Sequence, residues 1–224
     1  MTSSGAPLEI WPWPLHRRIA KRALDVAVSS AALTLASPLL LLIAAAIKLT
    51  SPGPVLFLQP RVGRGGRSFS IWKFRTMVEG AHNRGPAITS SGDPRVTPVG
   101  RLLRRTKLDE LPQLVNVWLG EMSLVGPRPE LPRYVAGYNE EDRSVLSIRP
   151  GITDLASIAF RDEESVLAQF ADWEQAYVDV LLPRKLALAR EYLRRQSFTL
   201  DLELLLRTLL VVVQPNAGHH VHAR

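Results

Sequence analysis

The chain contains one long segment without a charged residue, Val26 to Ile47, which lies between Asp25 and Lys48. Wound as a helix, these 22 residues match a hydrocarbon core of roughly 30 Å. The segment is apolar on every face, and this pattern favours a lipid environment over the core of a soluble protein. It is also too long to be the apolar part of a cleaved signal peptide. We therefore predict that the segment lies in a membrane.

The flanks and the middle of this segment favour a re-entrant path. Ser37 and Pro38 lie near its centre, and a proline there removes a backbone hydrogen bond and kinks the helix. Basic residues mark the cytoplasmic side of a membrane segment. They occur before it, at Arg17, Arg18, Lys21 and Arg22, and after it, at Lys48, Arg61, Arg64, Arg67, Lys73 and Arg75. We predict a helix broken at Ser37 and Pro38 with both ends on the cytoplasmic face, and a simple span is the alternative.

The charge of the chain indicates an anionic partner. The net charge is +7 over 224 residues, and no acidic residue occurs from Val26 through Val78. Nucleic acid, anionic lipid and a phosphorylated substrate are the partner classes that such a surface attracts. The length suits one compact unit with appendages. The absence of cysteine excludes disulfides.

Acid–base or covalent chemistry in this chain points to the carboxylates of Asp109 and Glu110. No cysteine is present, and the histidines are poorly placed for an active site, since only one of them is central. They are His16 in the basic N-terminal cluster, His82, and His219, His220 and His222 near the end. Asp109 and Glu110 lie instead among basic residues in the middle of the chain.

The residues after Asp109 predict a helix. Apolar residues recur at spacings of three and four, which marks one helix face. They are Leu111, Leu114, Val115, Trp118 and Leu119. Pro112 is tolerated in a first turn, which puts Asp109 at or near the N-cap. The backbone N–H groups and the helix dipole there favour an ionised Asp109, and would also welcome a phosphate. A simple capping role is the alternative.

Basic residues surround this position in the sequence. Four of them, Arg101, Arg104, Arg105 and Lys107, come directly before the two carboxylates. Arg128 lies between Pro127 and Pro129, where a rigid backbone would fix its guanidinium against a phosphate. A solvent-facing arginine in a proline-rich loop fits the same pattern.

The remaining pattern predicts a β-hairpin and a helical C-terminal third. The predicted strands are residues 55–59 and 68–74, and the predicted helices are residues 166–177, 183–195 and 200–213. The last helix is too short to cross a bilayer, and it packs on the core or lies in the membrane interface. The predicted segments are a basic N-terminal stretch (1–22), the re-entrant helix (23–50), a cytosolic domain (51–213) and a flexible tail (214–224).

Several ordered motifs lie between Lys21 and Val213. They are Lys21-Arg22-Ala23-Leu24-Asp25, Ser37-Pro38, Gly53-Pro54-Val55, Lys73-Phe74-Arg75-Thr76-Met77, Leu108-Asp109-Glu110-Leu111-Pro112-Gln113, Val125-Gly126-Pro127-Arg128-Pro129 and Arg149-Pro150-Gly151-Ile152-Thr153. In this order and spacing, the chain resembles the bacterial sugar transferase family, the monotopic phosphoglycosyl transferases that act on polyprenyl phosphate. The resemblance is to the minimal catalytic form, without the multi-span N-terminal extension of some members.

The resemblance implies a fold and a location. The fold would be α+β and mostly helical, with a membrane-embedded re-entrant helix. A small cytosolic catalytic domain would carry a short β-hairpin and interfacial amphipathic helices. The protein would lie in the bacterial inner membrane, in contact with membrane lipid, with its catalytic domain on the cytoplasmic face. A homodimer is one possible assembly.

The resemblance also implies a reaction. A sugar-1-phosphate would pass from a UDP-sugar to a polyprenyl phosphate such as undecaprenyl phosphate, releasing UMP and initiating a surface glycan or exopolysaccharide. Asp109 would be the nucleophile that forms a covalent phosphosugar intermediate, Glu110 would assist it, and Mg²⁺ would lie beside Asp109. The residues at positions expected to hold phosphate are Lys73, Arg75, Arg104 and Arg128.

The chain departs from the family pattern at one place. Many relatives continue the Arg149–Thr153 motif with Gly and Trp, whereas this chain has Asp154-Leu155-Ala156-Ser157. We expect the difference to affect sugar recognition or a local loop rather than the chemistry. Two other functions remain alternatives: a membrane-anchored scaffold that binds anionic lipid, and a nucleic-acid-binding protein. The second is disfavoured because no recognition motif is present, and we expect no nucleic-acid partner.

Overall fold

The structure is a computed structural model that describes residues 13–81, 85 and 88–213. His82 and the predicted flexible tail lie outside the described residues. The helices are α1 (Leu15–Thr50), α2 (Pro98–Thr106), α3 (Gln113–Leu119), α4 (Pro132–Val135), α5 (Glu140–Arg143), α6 (Leu155–Ala159), α7 (Glu163–Leu167), α8 (Trp173–Ala176), α9 (Leu182–Arg195) and α10 (Phe198–Val213). The strands are β1 (Leu56–Val62), β2 (Ser68–Phe74), β3 (Ser123–Val125) and β4 (Gly151–Thr153). The predicted α+β, mostly helical class is confirmed.

Strands β1 and β2 form the predicted antiparallel hairpin, with Leu56 opposite Phe74. Successive side chains of a strand point to opposite faces. Phe74 therefore enters an apolar cluster with Ile47 of α1 and Leu103 of α2. Its neighbour Lys73 points the other way, towards Glu110, at 2.7 Å from Nζ to Oε1. The hairpin thus brings one of the predicted phosphate-binding cations to the carboxylate pair.

A second sheet, of the short parallel strands β3 and β4, was not predicted. Val125 lies opposite Thr153, and the N–H of Gly126 donates to the carbonyl of Thr153 at 3.1 Å. The two backbones approach so closely that a Cβ added at Gly151 would lie 2.1 Å from the nitrogen of Gly126. Only glycine fits there. The sheet fixes the loop that carries Arg128, which leaves β3 directly after Val125.

Helix α1 is assigned as one helix from Leu15 to Thr50, with Pro38 inside it, so the structure shows no interruption of secondary structure at the predicted break. Pro38 has no N–H to donate to the carbonyl of Thr34, four residues earlier. The hydroxyl of Ser37 donates to that carbonyl instead, at 2.8 Å, which leaves it satisfied. A bend of α1 in a bilayer stays a prediction. The predicted boundary between residues 22 and 23 falls inside α1.

Both ends of α1 pack on the same folded domain. Near its start, Asp25 accepts hydrogen bonds from the N–H of Leu124 at 3.0 Å and the hydroxyl of Ser123 at 3.1 Å. Near its end, Ile47 is 2% exposed in the cluster with Phe74. Much of the helix between these anchors is exposed, including Leu35, Leu41 and Leu42. Among the described residues, α1 is the one helix long and apolar enough to cross a membrane, with a mean hydropathy of 2.1 over its most apolar window.

Two of the basic residues before the apolar segment hold α1 to the domain. Arg22 donates to the carbonyls of Val117 at 2.6 Å and Trp118 at 2.8 Å, at the carboxyl end of α3. Lys21 forms a buried ion pair with Asp201 of α10. These two charges therefore serve the packing of α1, so their value as markers of membrane orientation is smaller than we assumed.

The helical C-terminal third differs from prediction in one place. Helices α9 and α10 agree with the predicted residues 183–195 and 200–213. The helix predicted over residues 166–177 is instead divided into α7 and α8. The carboxylate of Asp172 accepts the N–H of Gln175 at 2.9 Å and caps a new helix at Trp173. Capping by an aspartate competes with continuation of the preceding helix.

We expect loss of the buried pair between Lys21 and Asp201 to destabilise the fold. Both side chains are almost fully buried, so Lys21→Met leaves an unpaired buried carboxylate and should lower the free energy of unfolding by about 3–5 kcal/mol. Arg207→Met is the matched control, because its pair with Glu203 on α10 is exposed and should contribute less than ~1 kcal/mol. Thermal unfolding in detergent measures the stability of both variants. Equal losses in Lys21→Met and Arg207→Met would contradict a stabilising role for the buried pair.

Candidate active site

Asp109 lies in a tight turn and does not cap a helix. Lys107 ends α2 in the left-handed conformation, with φ of 58°, and the 3-10 turn Leu108–Glu110 follows at once. Helix α3 begins only at Gln113, and Pro112 at its N-cap has no side chain that accepts a hydrogen bond. The predicted N-cap role of Asp109 is therefore wrong, because Asp109 lies in a separate 3-10 turn between Lys107 and the start of α3.

The carboxylate of Asp109 is buried and incompletely bonded. The residue is 7% exposed, and its Oδ1 atom has no hydrogen-bond partner. Burial raises the pKa of Asp109 above its usual range, and the charge of Glu110 raises it further. Lys73, Arg104 and Lys107 lower the pKa by smaller amounts. The expectation that the local environment favours ionisation is corrected accordingly.

Glu110 is held as an anion by two cations. Its Oε1 atom accepts from Nζ of Lys73 at 2.7 Å, and Arg128 donates to both of its oxygens, at 2.5 and 3.2 Å. Burial alone would raise the pKa of Glu110, but Arg128 and Lys73 outweigh burial and hold the pKa well below its usual range. Two adjacent carboxyl groups with pKa values pushed apart are typical of a pair with different chemical roles. Asp109 keeps a free oxygen, whereas Glu110 has none.

Lys73 and Arg128 reach the pair from different parts of the fold. Lys73 comes from β2, and burial lowers the pKa of its ammonium. Arg128 comes from the loop after β3, and its backbone N–H donates to Oδ2 of Asp154 at 3.1 Å. The structure thus brings Lys73 and Arg128 together with Asp109 and Glu110, four of the six residues predicted for catalysis and phosphate binding.

Arg104 approaches the pair from α2 but is bonded elsewhere. Its Nε and one terminal nitrogen donate to Oε1 of Glu164, at 3.0 and 2.5 Å, and the other donates to Oγ1 of Thr76 at 3.3 Å. Its charge still lowers the pKa of Asp109. A phosphate on Arg104 would therefore share the guanidinium with Glu164 or displace it.

Arg75 contacts the carboxyl end of α1. One terminal nitrogen donates to the carbonyl of Ser51 at 2.9 Å and to its hydroxyl at 2.7 Å. Gly53 leaves room for the guanidinium, since a Cβ there would lie 2.3 Å from it. These contacts of Arg75 hold the turn after α1, which is a structural role that the predicted phosphate-binding role did not include.

A buried polar network behind Arg128 was missed from the sequence. The carboxylate of Glu130 accepts from the hydroxyl of Tyr177 at 2.6 Å. Lys185 and Arg61 lie 3.5 and 3.6 Å from the same carboxylate. Arg61 and Lys185 outweigh the effect of burial and hold the pKa of Glu130 below its usual range. The members are far apart in the chain, so no local spacing could have indicated the network.

The residues around Asp109 fit a magnesium ion. Mg²⁺ is bound in many enzymes by one or two carboxylates together with substrate phosphates and water. The Oδ1 atom of Asp109, which has no hydrogen-bond partner, would supply one such ligand. The described residues contain no group of three or more His, Cys, Asp or Glu side chains that could hold a metal by themselves. The metal would therefore depend on the phosphates of a bound substrate.

The pH dependence of activity should report Asp109. A carboxylate acts as a nucleophile only when ionised, and the pKa of Asp109 is raised. The rate should fall as the pH drops through that raised pKa, while Glu110 stays ionised because its pKa is lowered. We expect the acid limb of kcat/KM above the ordinary aspartate value of 3.8, and moved upward by Lys73→Met, because Lys73 lowers the pKa of Asp109. A kcat/KM that stays constant down to pH 3.8 would contradict the attribution of the acid limb to Asp109.

Comparison with known proteins identifies the family. Residues 16–215 match the family model described as bacterial sugar transferase, which is most of the chain. This protein belongs to the bacterial sugar transferase family. The match covers α1 from its second residue, the hairpin, the Asp109–Glu110 pair and the Arg128 loop, so the candidate site lies in the family region.

Several bacterial transferases are similar to this chain in sequence. A UDP-N-acetylgalactosamine-undecaprenyl-phosphate N-acetylgalactosaminephosphotransferase of Aeromonas hydrophila is 45% identical over 150 residues, 66% of this chain and 35% of the relative. UDP-glucose:undecaprenyl-phosphate glucose-1-phosphate transferases of Escherichia coli and Caulobacter vibrioides are 37% and 40% identical, over 91% and 84% of this chain. The aligned part is 42% of the first and 68% of the second. The chain thus spans less than half the length of some relatives.

Proposed function

We propose that this protein transfers a sugar-1-phosphate from a UDP-sugar to undecaprenyl phosphate. The names of the relatives support this reaction, since they specify undecaprenyl phosphate as acceptor and UDP-glucose or UDP-N-acetylgalactosamine as donor. The observation that carries the proposal is the buried Asp109 with a free oxygen, next to a Glu110 that is fully bonded to Lys73 and Arg128. The relatives are named for two different donors, UDP-glucose and UDP-N-acetylgalactosamine, and the assay described below tests both.

The proposed chemistry has two displacements at one phosphorus. An oxygen of ionised Asp109 attacks the phosphorus that carries the sugar, a new carboxyl–phosphorus bond forms, and the bond to the UMP oxygen breaks. UMP leaves with the electron pair of that bond. A phosphate oxygen of undecaprenyl phosphate then attacks the same phosphorus and the Asp109 carboxylate leaves. Covalent catalysis suits a soluble donor and a membrane-bound acceptor, because the two need not occupy the site together.

The cations of the site offset the repulsion between a carboxylate and a diphosphate. Two unit charges ~4 Å apart repel by about 4 kcal/mol at an intermediate dielectric. Arg128, Lys73 and Arg104 place positive charge around Asp109, and each lies on a different element. Magnesium, held by Asp109 and the substrate phosphates, would supply further charge neutralisation. Glu110 accepts hydrogen bonds from Lys73 and Arg128 and so fixes the orientation of both side chains. Their remaining N–H groups would be free to donate to a substrate phosphate.

We also propose that α1 enters and leaves the membrane on the cytoplasmic face. Both of its ends pack on one domain, and a single domain outside the bilayer cannot hold the two ends of a spanning helix. The exposed leucines between the anchors would face lipid, which brings the site to the surface where the acceptor phosphate lies. The chain has no cysteine, so Arg17→Cys and Leu49→Cys can be labelled singly. Labelling from opposite sides of the membrane would overturn this topology.

The reaction is tested by UMP release in mild detergent. The purified protein is mixed with Mg²⁺, undecaprenyl phosphate and single UDP-sugars, beginning with UDP-glucose and UDP-N-acetylgalactosamine. Release that depends on the metal and on one sugar supports the proposal and identifies the donor. Folded protein that releases no UMP with any donor argues for the membrane-anchored scaffold instead.

A further inference from the structure

The segment where the sequence departs from the family motif lies against the candidate site. Asp154 follows β4 directly, is 2% exposed, and uses both carboxylate oxygens. Oδ1 accepts the N–H of Ser157 at 2.6 Å, which caps α6. Oδ2 accepts the N–H of Arg128 at 3.1 Å. One buried side chain therefore joins the start of α6 to the residue that bonds Glu110.

The contact fixes Arg128 at its backbone, whereas Glu110 fixes it at the guanidinium. Between these two points the side chain of Arg128 has little freedom, because its terminal nitrogens lie 2.5 and 3.2 Å from the oxygens of Glu110. Pro127 and Pro129 on either side stiffen the loop but cannot donate a backbone hydrogen bond to anchor it. The Arg128 N–H is the one such donor between the two prolines, and Asp154 accepts it.

We propose that Asp154 is a positioning residue, which sets the guanidinium of Arg128 for a substrate phosphate through its bond to the Arg128 backbone. This inference rests on the proposed function, in which Arg128 binds phosphate. The carboxylate is needed for geometry, because its two oxygens accept two N–H groups from different segments. An amide has one acceptor oxygen, and its NH₂ group would face the second N–H. Under this proposal the departure from the family motif acts directly on the site, in addition to the expected effect on sugar recognition or a local loop.

Asp154→Asn and Asp154→Ser separate the two bonds of the carboxylate. Asparagine and serine both cap helices well, so α6 keeps its cap, while the acceptor for the Arg128 N–H is lost. A misplacement of about 1 Å in a positioning group can cost up to ~100-fold in rate. We expect kcat/KM to fall at least about tenfold in both variants. The matched control is Asp172→Asn, which changes an exposed cap on α8 and should leave kcat/KM unchanged.

A double-mutant cycle distinguishes positioning from general destabilisation. In an Arg128→Lys background, Asp154→Asn should lower kcat/KM by less than ~2-fold further, because both changes act through the same guanidinium. Independent, multiplying effects would overturn the proposal. So would wild-type activity in both Asp154 variants, or equal losses in the Asp154 and Asp172 variants.

Pyrophosphate binding gives a readout that does not need turnover. Asp154→Asn should weaken the affinity of the whole protein for inorganic pyrophosphate, measured by its shift of the melting temperature, and Asp172→Asn should not. If wild-type protein binds pyrophosphate but releases no UMP, the proposed reaction is wrong while the pyrophosphate comparison still decides the role of Asp154. Equal pyrophosphate affinity in wild type and Asp154→Asn overturns that role even if UMP is released.

Discussion

Replacement of Asp109 by asparagine should reduce UMP release by about 10³-fold or more, which is the scale of loss when a covalent nucleophile is removed. The amide has the same size as the carboxyl group but cannot attack phosphorus. The free energy of unfolding should stay the same or rise. Burial and Glu110 raise the pKa of Asp109, so a neutral side chain suits this position at least as well as a charged one. Initial rates and melting temperatures, measured on the same preparation, test both expectations.

The matched control for this substitution is Asp179→Asn. Asp179 is exposed and accepts a hydrogen bond from the side-chain amide of Gln175 at 2.8 Å, so its replacement should change neither rate nor stability. Wild-type rates in Asp109→Asn would keep the enzyme and reject Asp109 as the nucleophile. A large drop in melting temperature would instead assign Asp109 a structural role, in conflict with its unpaired Oδ1.

Arg128→Ala should lower kcat/KM by about 10²–10³-fold, comparable to the loss of one preorganised donor in other active sites. The guanidinium bonds both oxygens of Glu110, and its removal leaves that buried carboxylate with Lys73 alone. The pKa of Glu110 should therefore rise, since Arg128 is the main charge that lowers it. Initial rates of UMP release at varied UDP-sugar concentration measure the loss.

Two further variants sharpen the comparison. Arg128→Lys keeps the positive charge but loses the bidentate hydrogen bond to Glu110. It should retain more activity than Arg128→Ala but less than the wild type. Arg133→Ala removes an arginine five positions away, half-exposed and paired with Glu174, and should leave kcat/KM unchanged. Full activity in Arg128→Lys would show that charge alone is required at this position, which would contradict the argument from geometry.

Local patterns predicted the regular elements well. The alternation in the strands located β1 and β2, and the apolar spacing located α3, α9 and α10 to within a few residues. These elements have strong periodicity and clear turn residues at their ends. The three-residue strands β3 and β4 have neither. Their pairing depends on contact between two glycine-bearing backbones, Gly126 and Gly151, that are distant in sequence.

The composition of the site was predictable, but its connections were not. Asp109, Glu110, Lys73 and Arg128 were found from residue type and motif. The contacts that define their environment join residues far apart: 37 positions separate Lys73 from Glu110, and 60 separate Arg104 from Glu164. The direction of the pKa shift of Asp109 was misjudged for the same reason, because burial, its largest cause, is a property of the fold.

The central claim is that Asp109 becomes covalently attached to the sugar phosphate, and mass spectrometry tests it directly. Wild-type protein is incubated with Mg²⁺ and the active UDP-sugar without acceptor, then digested in acid. The peptide that contains Asp109 should gain the mass of one sugar phosphate, and undecaprenyl phosphate added before digestion should remove it. UMP release that occurs only with acceptor present, with no such adduct on the Asp109 peptide, would contradict the account and favour direct transfer.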